Sequence, residues 1–332
     1  MTALIEVRGL TKRFGSKTVV DDLSFTVTNG RVTGFLGPNG SGKSTTMRCM
    51  LGLDRAHSGT TLFNGRPYTS VARPIREVGA LLDAGYVHPG RSARNHLRYL
   101  AASNGLNRRR VDEVLTTVGL DSVASKRVGT FSLGMKQRLG IATALLGNPE
   151  ILMFDEPVNG LDPEGIHWMR QLMRVLASEG RAVLVSSHLL SEMAQTADDL
   201  VIIGQGRLIS AGPVDAFITA NVESWVTVRS PTAARLATAV ASIGGQVRSR
   251  NGDEIAVVGV TAAQVGEAAA ASSIVLHELS TQRASLEEAF LKATAPTVDF
   301  RAVPLPARSV PVGPSAPPGS PLPPPTPGSG PS

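Results

Sequence analysis

The 332-residue sequence predicts an α/β fold: a mostly parallel sheet covered by helices, with an antiparallel β subdomain and a helical insertion, then a small α+β ferredoxin-like domain. Three observations lead there. Residues 1 to about 220 alternate short Val/Ile/Leu-rich runs with longer helical patterns, as chains with buried parallel strands do. Between residues 92 and 148 the strand signal vanishes and helical periodicity takes over. From 222 to 293 the order is strand, helix, strand, strand, helix, strand, that of a split βαβ unit.

Taken along the chain, the segment Thr18–Gly30 (TVVDDLSFTVTNG) alternates apolar and polar residues as a half-exposed antiparallel hairpin does. The runs RVTGFLG, EVGALLD, EILMFDE, RAVLVSS and DLVIIG are near-continuously apolar and read as strands buried on both faces. Helices are expected over 95–103 and 110–118 within an insertion of about 86–148. In the second unit, strands WVTVRS, QVRSR, EIAVVGV and IVLHELS flank helices TAARLATAVASIG and AAQVGEAAAA, and a last helix, ASLEEAFLKAT, follows. Proline, serine and glycine dominate after about residue 295, a composition that cannot form a core and predicts an extended tail. The expected division is therefore 1–220, 221–294 and 295–332.

Composition narrows the function. With 42% hydrophobic and 18% charged residues the chain can bury a core. No stretch approaches the roughly 18 consecutive apolar residues of a membrane span, and the opening MTALIEVRGLTK lacks a signal-peptide core, so a cytoplasmic location is expected. The single cysteine, Cys49, cannot form an internal disulfide and reads as a packed helix position. The net charge of +6 is spread along the chain. Its one cluster, Arg108, Arg109 and Arg110, reads as a solvated helix face, which argues against a nucleic-acid partner. Arginine outnumbers lysine, as in chains from GC-rich bacterial genomes.

The chemistry is concentrated in two places. Residues 37–44, GPNGSGKS, satisfy G-x-x-x-x-G-K-[ST] between a predicted strand and a predicted helix, the context that a phosphate-binding loop requires. Gly37, Gly40 and Gly42 permit turns that point backbone N–H groups inward, and the helix dipole adds positive potential. Lys43 supplies a point charge, and the Ser44 hydroxyl suits Mg²⁺, which prefers oxygen ligands and retains water. Pro38, Asn39, Ser41 and Thr45 complete the expected nucleotide contact. The second place is ILMFDEP, where Asp155 and Glu156 emerge at the C-terminal end of a strand, the edge where open α/β sheets collect ligands. Asp155 can orient Mg²⁺ through water, and Glu156 can act as general base toward an attacking water.

Two further segments, FSLGMKQRLGIATALLGNPE before the carboxylate strand and VLVSSHLLSEM after it, complete a pattern with GPNGSGKST, ILMFDEP and NGLDP. In number, order and spacing these resemble the nucleotide-binding domain of ABC transporters, a P-loop NTPase, from residue 4 to about 217. NHL, SLGMKQRL and the C-terminal extension make the chain similar to the daunorubicin and bacitracin resistance ATPases within that family.

The resemblance implies an ATP hydrolase that powers a separately encoded integral membrane permease, peripheral on the inner face of a bacterial membrane, with export of a drug or antibiotic as the favoured direction. It implies that Ser132 and Gly134, at the start of a helix, reach the γ-phosphate held by an opposite subunit, so that two subunits are required, a homodimer favoured over a heterodimer. His188 matches the switch histidine at the γ-phosphate, Asp162 the loop that signals across the dimer, and Phe14 the aromatic that stacks on adenine. The sequence departs from the pattern at Leu133 and Met135, which replace a glycine and a glutamine. It departs again at Asp83, which stands where most members carry a glutamine; the aspartate can still bind a water or approach Mg²⁺, but it adds negative charge near phosphate. Competing readings are an ABC ATPase acting on ribosomes or DNA, disfavoured by a single P-loop, and a nucleotide-regulated module that barely hydrolyses ATP.

Overall fold

The computed structural model describes residues 2–221 and 224–283. Two long strands, β1 (Ala3–Phe14) and β2 (Lys17–Thr28), are followed by β3 (Arg31–Leu36), helix α1 (Lys43–Met50) and β4 (Ser58–Phe63). A short helix α2 (Pro74–Glu77) leads into β5 (Val78–Leu81), after which come α3 (Ala93–Ser103), α4 (Arg109–Thr117) and α5 (Leu133–Leu145). Then follow β6 (Ile151–Phe154), α6 (Pro163–Ser178), β7 (Ala182–Ser187), α7 (Leu190–Ala194), β8 (Asp199–Gly204), β9 (Arg207–Pro213) and α8 (Val214–Asn221).

The central sheet has six strands in the order β5-β6-β7-β3-β8-β9, parallel except for the last pair. Its apolar runs are continuous because both faces are covered. On β6, Leu152 and Phe154 join the cluster built with α3 to α6, while Ile151 and Met153 join the cluster under α1 and the antiparallel strands. The same alternation divides Val183 and Val185 of β7 from Ala182 and Leu184. Helix α3 buries Ala93, Leu97 and Ala101, a four-residue repeat on one face, and Ser92 caps it by accepting the Asn95 N–H.

The segment expected as a hairpin is one strand of a larger one. Thr18–Thr28 lies within β2, which pairs antiparallel with β1 around a turn at Gly15, where φ is 58°. Asp22 sits at a kink in that strand, φ 50°, and its N–H is taken by the Thr11 hydroxyl instead of starting a turn. Strands β2-β1-β4 form a separate antiparallel sheet. The arginine run is also more than a solvated face: Arg110 donates to the carbonyls of Leu145 and Leu146 at 3.0 and 3.4 Å, closing the end of α5.

The second part contains β10 (Ser224–Arg229), α9 (Ala233–Ser242), β11 (Gln246–Asn251), β12 (Glu254–Val258), α10 (Ala262–Ala271) and β13 (Glu278–Arg283). Sheet order β11-β12-β10-β13, antiparallel throughout, is that of a ferredoxin-like unit. Its last strand lies later than the apolar run Ile274–Leu276 indicates. Ile274 and Leu276 of that run pack against the core from a connection while Val275 faces solvent, and the polar ELSTQR segment pairs with β10 at the sheet edge. The expected helix at 284–294 and the tail from 295 lie outside the described residues.

Candidate functional site

Strands β6, β7 and β3 lie side by side and parallel, so residues following all three emerge at one edge of the sheet. The loop after β3 carries the phosphate motif, the residues after β6 are Asp155 and Glu156, and His188 follows β7. Three stretches distant in sequence are thus brought together by the strand order.

The loop is shaped by glycines that nothing larger can replace. Gly42 caps α1 in the left-handed region, φ 102°, and a Cβ there would lie 2.6 Å from the Val19 carbonyl oxygen. At Gly37 a Cβ would lie 2.6 Å from the Ile203 carbonyl oxygen and against the Ser41 hydroxyl. Ser41 Oγ is buried without a hydrogen-bond partner, a polar atom aimed into a loop built for an anion. Lys43 is 6% exposed and donates to the Gly37 carbonyl at 2.6 Å. Burial pulls its ammonium below the ordinary lysine range, against the opposing charges of Glu156 and Asp155. Ser44 is exposed in the first turn of α1, with Thr45 half-buried beside it.

The carboxylates are held as tightly. The buried Ser186 hydroxyl donates to Asp155 Oδ1 at 2.5 Å and accepts the Glu156 N–H at 2.8 Å. Glu156 is in the left-handed region, φ 47°, a conformation that costs a non-glycine residue about 1–3 kcal/mol and that its surroundings must enforce. Its carboxylate meets Lys43 Nζ at 3.7 Å and His188 Nδ1 at 3.0 Å. A carboxylate can only accept, so the contact is a hydrogen bond when the imidazole carries its proton on Nδ1. Glu192, on α7, has a buried oxygen, Oε2, without a partner. Burial lifts its carboxyl above the ordinary range, Arg170 and His188 oppose this, and Glu156 adds to it.

The structure therefore gathers Gly37, Gly40, Ser41, Gly42, Lys43, Asp155, Glu156 and His188, and it places Ser132, Gly134, Asp162, Phe14 and Asp83 apart from them. Ser132 caps α5 by accepting the Met135 N–H at 3.2 Å. A Cβ at Gly134 would lie 3.2 Å from the Gly160 carbonyl oxygen, so α5 begins pressed against the turn that ends in Asp162. Asp162 itself caps α6 through the Gly165 N–H, 2.8 Å away. Phe14, 51% exposed at the end of β1, carries the Lys12 ammonium 4.6 Å above its ring. Asp83 accepts the Gly85 N–H at 2.6 Å and lines a groove of about 520 Å³ with Arg48, Leu53, Tyr86, His96 and Leu100.

Sequence reasoning passed over Ser186, Gln137 and Glu192. Ser186 is one of two serines that end an otherwise apolar strand, and nothing in that local pattern marks it. Gln137 and Glu192 carried no local signal: Gln137 meets the carbonyl of Glu156, distant in sequence, and Glu192 is set apart by burial that only the fold creates. Among the described residues no group of three or more His, Cys, Asp or Glu side chains is placed to hold a metal. The donor set of Ser44 and Asp155 instead fits a cation that keeps its waters and takes phosphate oxygens.

Residues 20–159 match the ABC transporter family, and residues 224–287 match a domain family of unknown function. The chain is 38% identical over 301 residues to the uncharacterized ABC transporter ATP-binding protein YhcH of Bacillus subtilis (strain 168), spanning 90% of this chain and 98% of that one. It is 43% identical over 218 residues to the bacitracin transport ATP-binding protein BcrA of Bacillus licheniformis, spanning 65% and 71%. A solved structure of an ATP binding subunit of an ABC transporter superposes with a TM-score of 0.60 at 29% identity, covering 65% of this chain and 92% of that one.

Proposed function

The chain belongs to the ABC transporter ATP-binding proteins, and from that premise we propose that two copies of it clamp two ATP molecules to drive a separate membrane permease in the export of an antibiotic or another hydrophobic compound. The observation that carries the reading is the convergence of Lys43, Glu156 and His188 beside a glycine-built anion loop. Relatives named for bacitracin transport, lantibiotic transport and Nod factor export support export as the direction.

Hydrolysis follows from the chain's own groups. Water attacks the γ-phosphorus in line with the bond to the bridging oxygen, which breaks to release ADP. The Glu156 carboxylate takes the water's proton. Lys43 and the loop N–H groups offset charge on the phosphates, and His188 steadies Glu156 through Nδ1–H. Ser44 and Asp155 would hold Mg²⁺, which supplies further charge neutralisation when bound.

Ser132 has its backbone partners within α5, and among the described residues no hydrogen bond joins its hydroxyl to residues 37–45. We assign it to the γ-phosphate bound by the other copy, with Gly134 permitting the approach and Asp162 at the dimer seam. Phe14 is assigned to adenine stacking. The groove lined by Asp83, Tyr86 and His96, with Tyr86 74% exposed, is assigned to a cytoplasmic segment of the permease. No described helix is long and apolar enough to cross a membrane, so we place the chain peripherally on the cytoplasmic face through that partner. Residues 1–220 form the ATP-binding domain and 221–294 an accessory domain in this reading.

The test is phosphate release by the purified chain, alone and with its permease in lipid vesicles. Turnover raised by the permease is expected, with ATP-dependent pairing of the Glu156→Gln chain seen by light scattering. Absence of release under both conditions would leave a nucleotide-regulated binding module.

A further inference from the structure

Glu156 has a backbone conformation that L-residues rarely adopt, φ 47°, and two side chains from other elements grip its peptide groups. Ser186 accepts its N–H, and Gln137 donates from Nε2 to its carbonyl oxygen at 3.2 Å. Gln137 is 6% exposed and lies on α5, about one and a half turns from the Ser132 cap. Between cap and glutamine the helix start is seated on a single turn of chain. Leu133 covers Gly160, and a Cβ at Gly134 would stand 3.4 Å from Leu161 Cδ2. A shift of α5 therefore cannot leave the backbone of residues 156–161 where it was.

We infer that Gln137 is a positioning residue for Glu156, and that through it the engagement of Ser132 with one nucleotide sets the geometry of the general base at the other. This rests on the proposed assignment of Ser132 to the partner copy's nucleotide. The amide is suited to the task because it is buried, its donor has a fixed direction, and its acceptor belongs to the strained residue itself. An α5 drawn toward the opposing phosphate carries Gln137 with it, and the Glu156 carbonyl follows. Turnover at each site then depends on closure at the other without a contact between the two ligands.

The experiment compares Gln137→Met, which keeps the volume and removes the donor, with the unaltered full-length chain in steady-state ATP hydrolysis. The expected result is a kcat lower by roughly ten- to a hundredfold, the scale of a slightly misplaced catalytic group. KM for ATP should be unchanged, and the Hill coefficient should fall to that of independent sites. Wild-type kcat and cooperativity in Gln137→Met would overturn the inference, as would a KM that rises in step with the loss of kcat. Should Gln137→Met fail to fold, Gln137→Glu keeps the length and places an acceptor against the carbonyl. The same kcat loss is expected there, and full turnover would again overturn the proposal. Glu156→Gln serves as control. If it turns over normally the base assignment has failed, whereas an inactive Glu156→Gln beside a fully active Gln137→Met rejects the coupling alone.

Discussion

The Lys43 ammonium stands 3.7 Å from Oε1 of Glu156, while the lysine's shorter contact is to the Gly37 carbonyl at 2.6 Å. The cation that receives phosphate charge and the carboxylate that receives the water's proton therefore face each other across the loop. Lys43→Ala should lower ATP affinity by roughly ten- to a hundredfold, the scale of one lost charge-assisted hydrogen bond. Titration with a fluorescent ATP analogue reads this directly, and unchanged affinity would remove the loop as the phosphate site.

Ser186 joins the two acidic residues, and its loss reaches both. Ser186→Ala leaves the Glu156 N–H without its acceptor, at a cost of about 1–3 kcal/mol, and releases one oxygen of Asp155. We expect kcat to fall with little change in ATP binding. Equal kcat in the variant would mean that the carboxylates hold their places without it.

Gly42→Ala tests the loop's backbone. The new Cβ would meet the Val19 carbonyl oxygen at 2.6 Å in a residue with φ 102°. A loss of about 1–3 kcal/mol in stability is expected from the conformation alone, with weaker ATP binding because the N–H groups move. Thermal unfolding with and without ATP separates the two effects.

Glu192→Gln should stabilise the chain in a pH-dependent manner. Folding raises this carboxyl above its ordinary value of 4.5, chiefly by burial, so the folded chain holds the proton more firmly than the unfolded chain. The favourable contribution is fully present below that ordinary value and is lost as pH rises through the folded one. The gain in melting temperature from the glutamine should thus be larger near pH 8 than near pH 5. A gain independent of pH would assign the effect to packing.

Asp83→Ala separates coupling from chemistry. Its carboxylate accepts the Gly85 N–H in its own loop and faces the groove with Tyr86 and His96. Permease-stimulated turnover should fall more than basal turnover. Equal losses would place Asp83 at the nucleotide instead.

The strands of the central sheet were legible because burial on both faces writes an unbroken apolar run, as in ILMF and AVLVSS. The β2 segment misled because alternation reports one exposed face and says nothing about where the chain turns; Asp21 and Asp22 look like turn residues yet lie inside a strand. Strand β9, RLISAGP, is a mostly exposed edge and carries little apolar signal. In the site, glycine and lysine spacing disclosed the anion loop, because backbone geometry there demands particular residue types. The grip on Glu156 was hidden, since any strand serine or helix glutamine is unremarkable until the fold sets it against a distant peptide group.

Strand β3 pairs on one side with residues 182–187 and on the other with residues 199–202. A nascent chain leaving the ribosome therefore carries its phosphate loop on an apolar strand that stays unpaired until residues 182–204 have been made. The nucleotide pocket closes only when both flanking strands have emerged. Arrest before that point should yield an aggregation-prone fragment rather than a half-active enzyme.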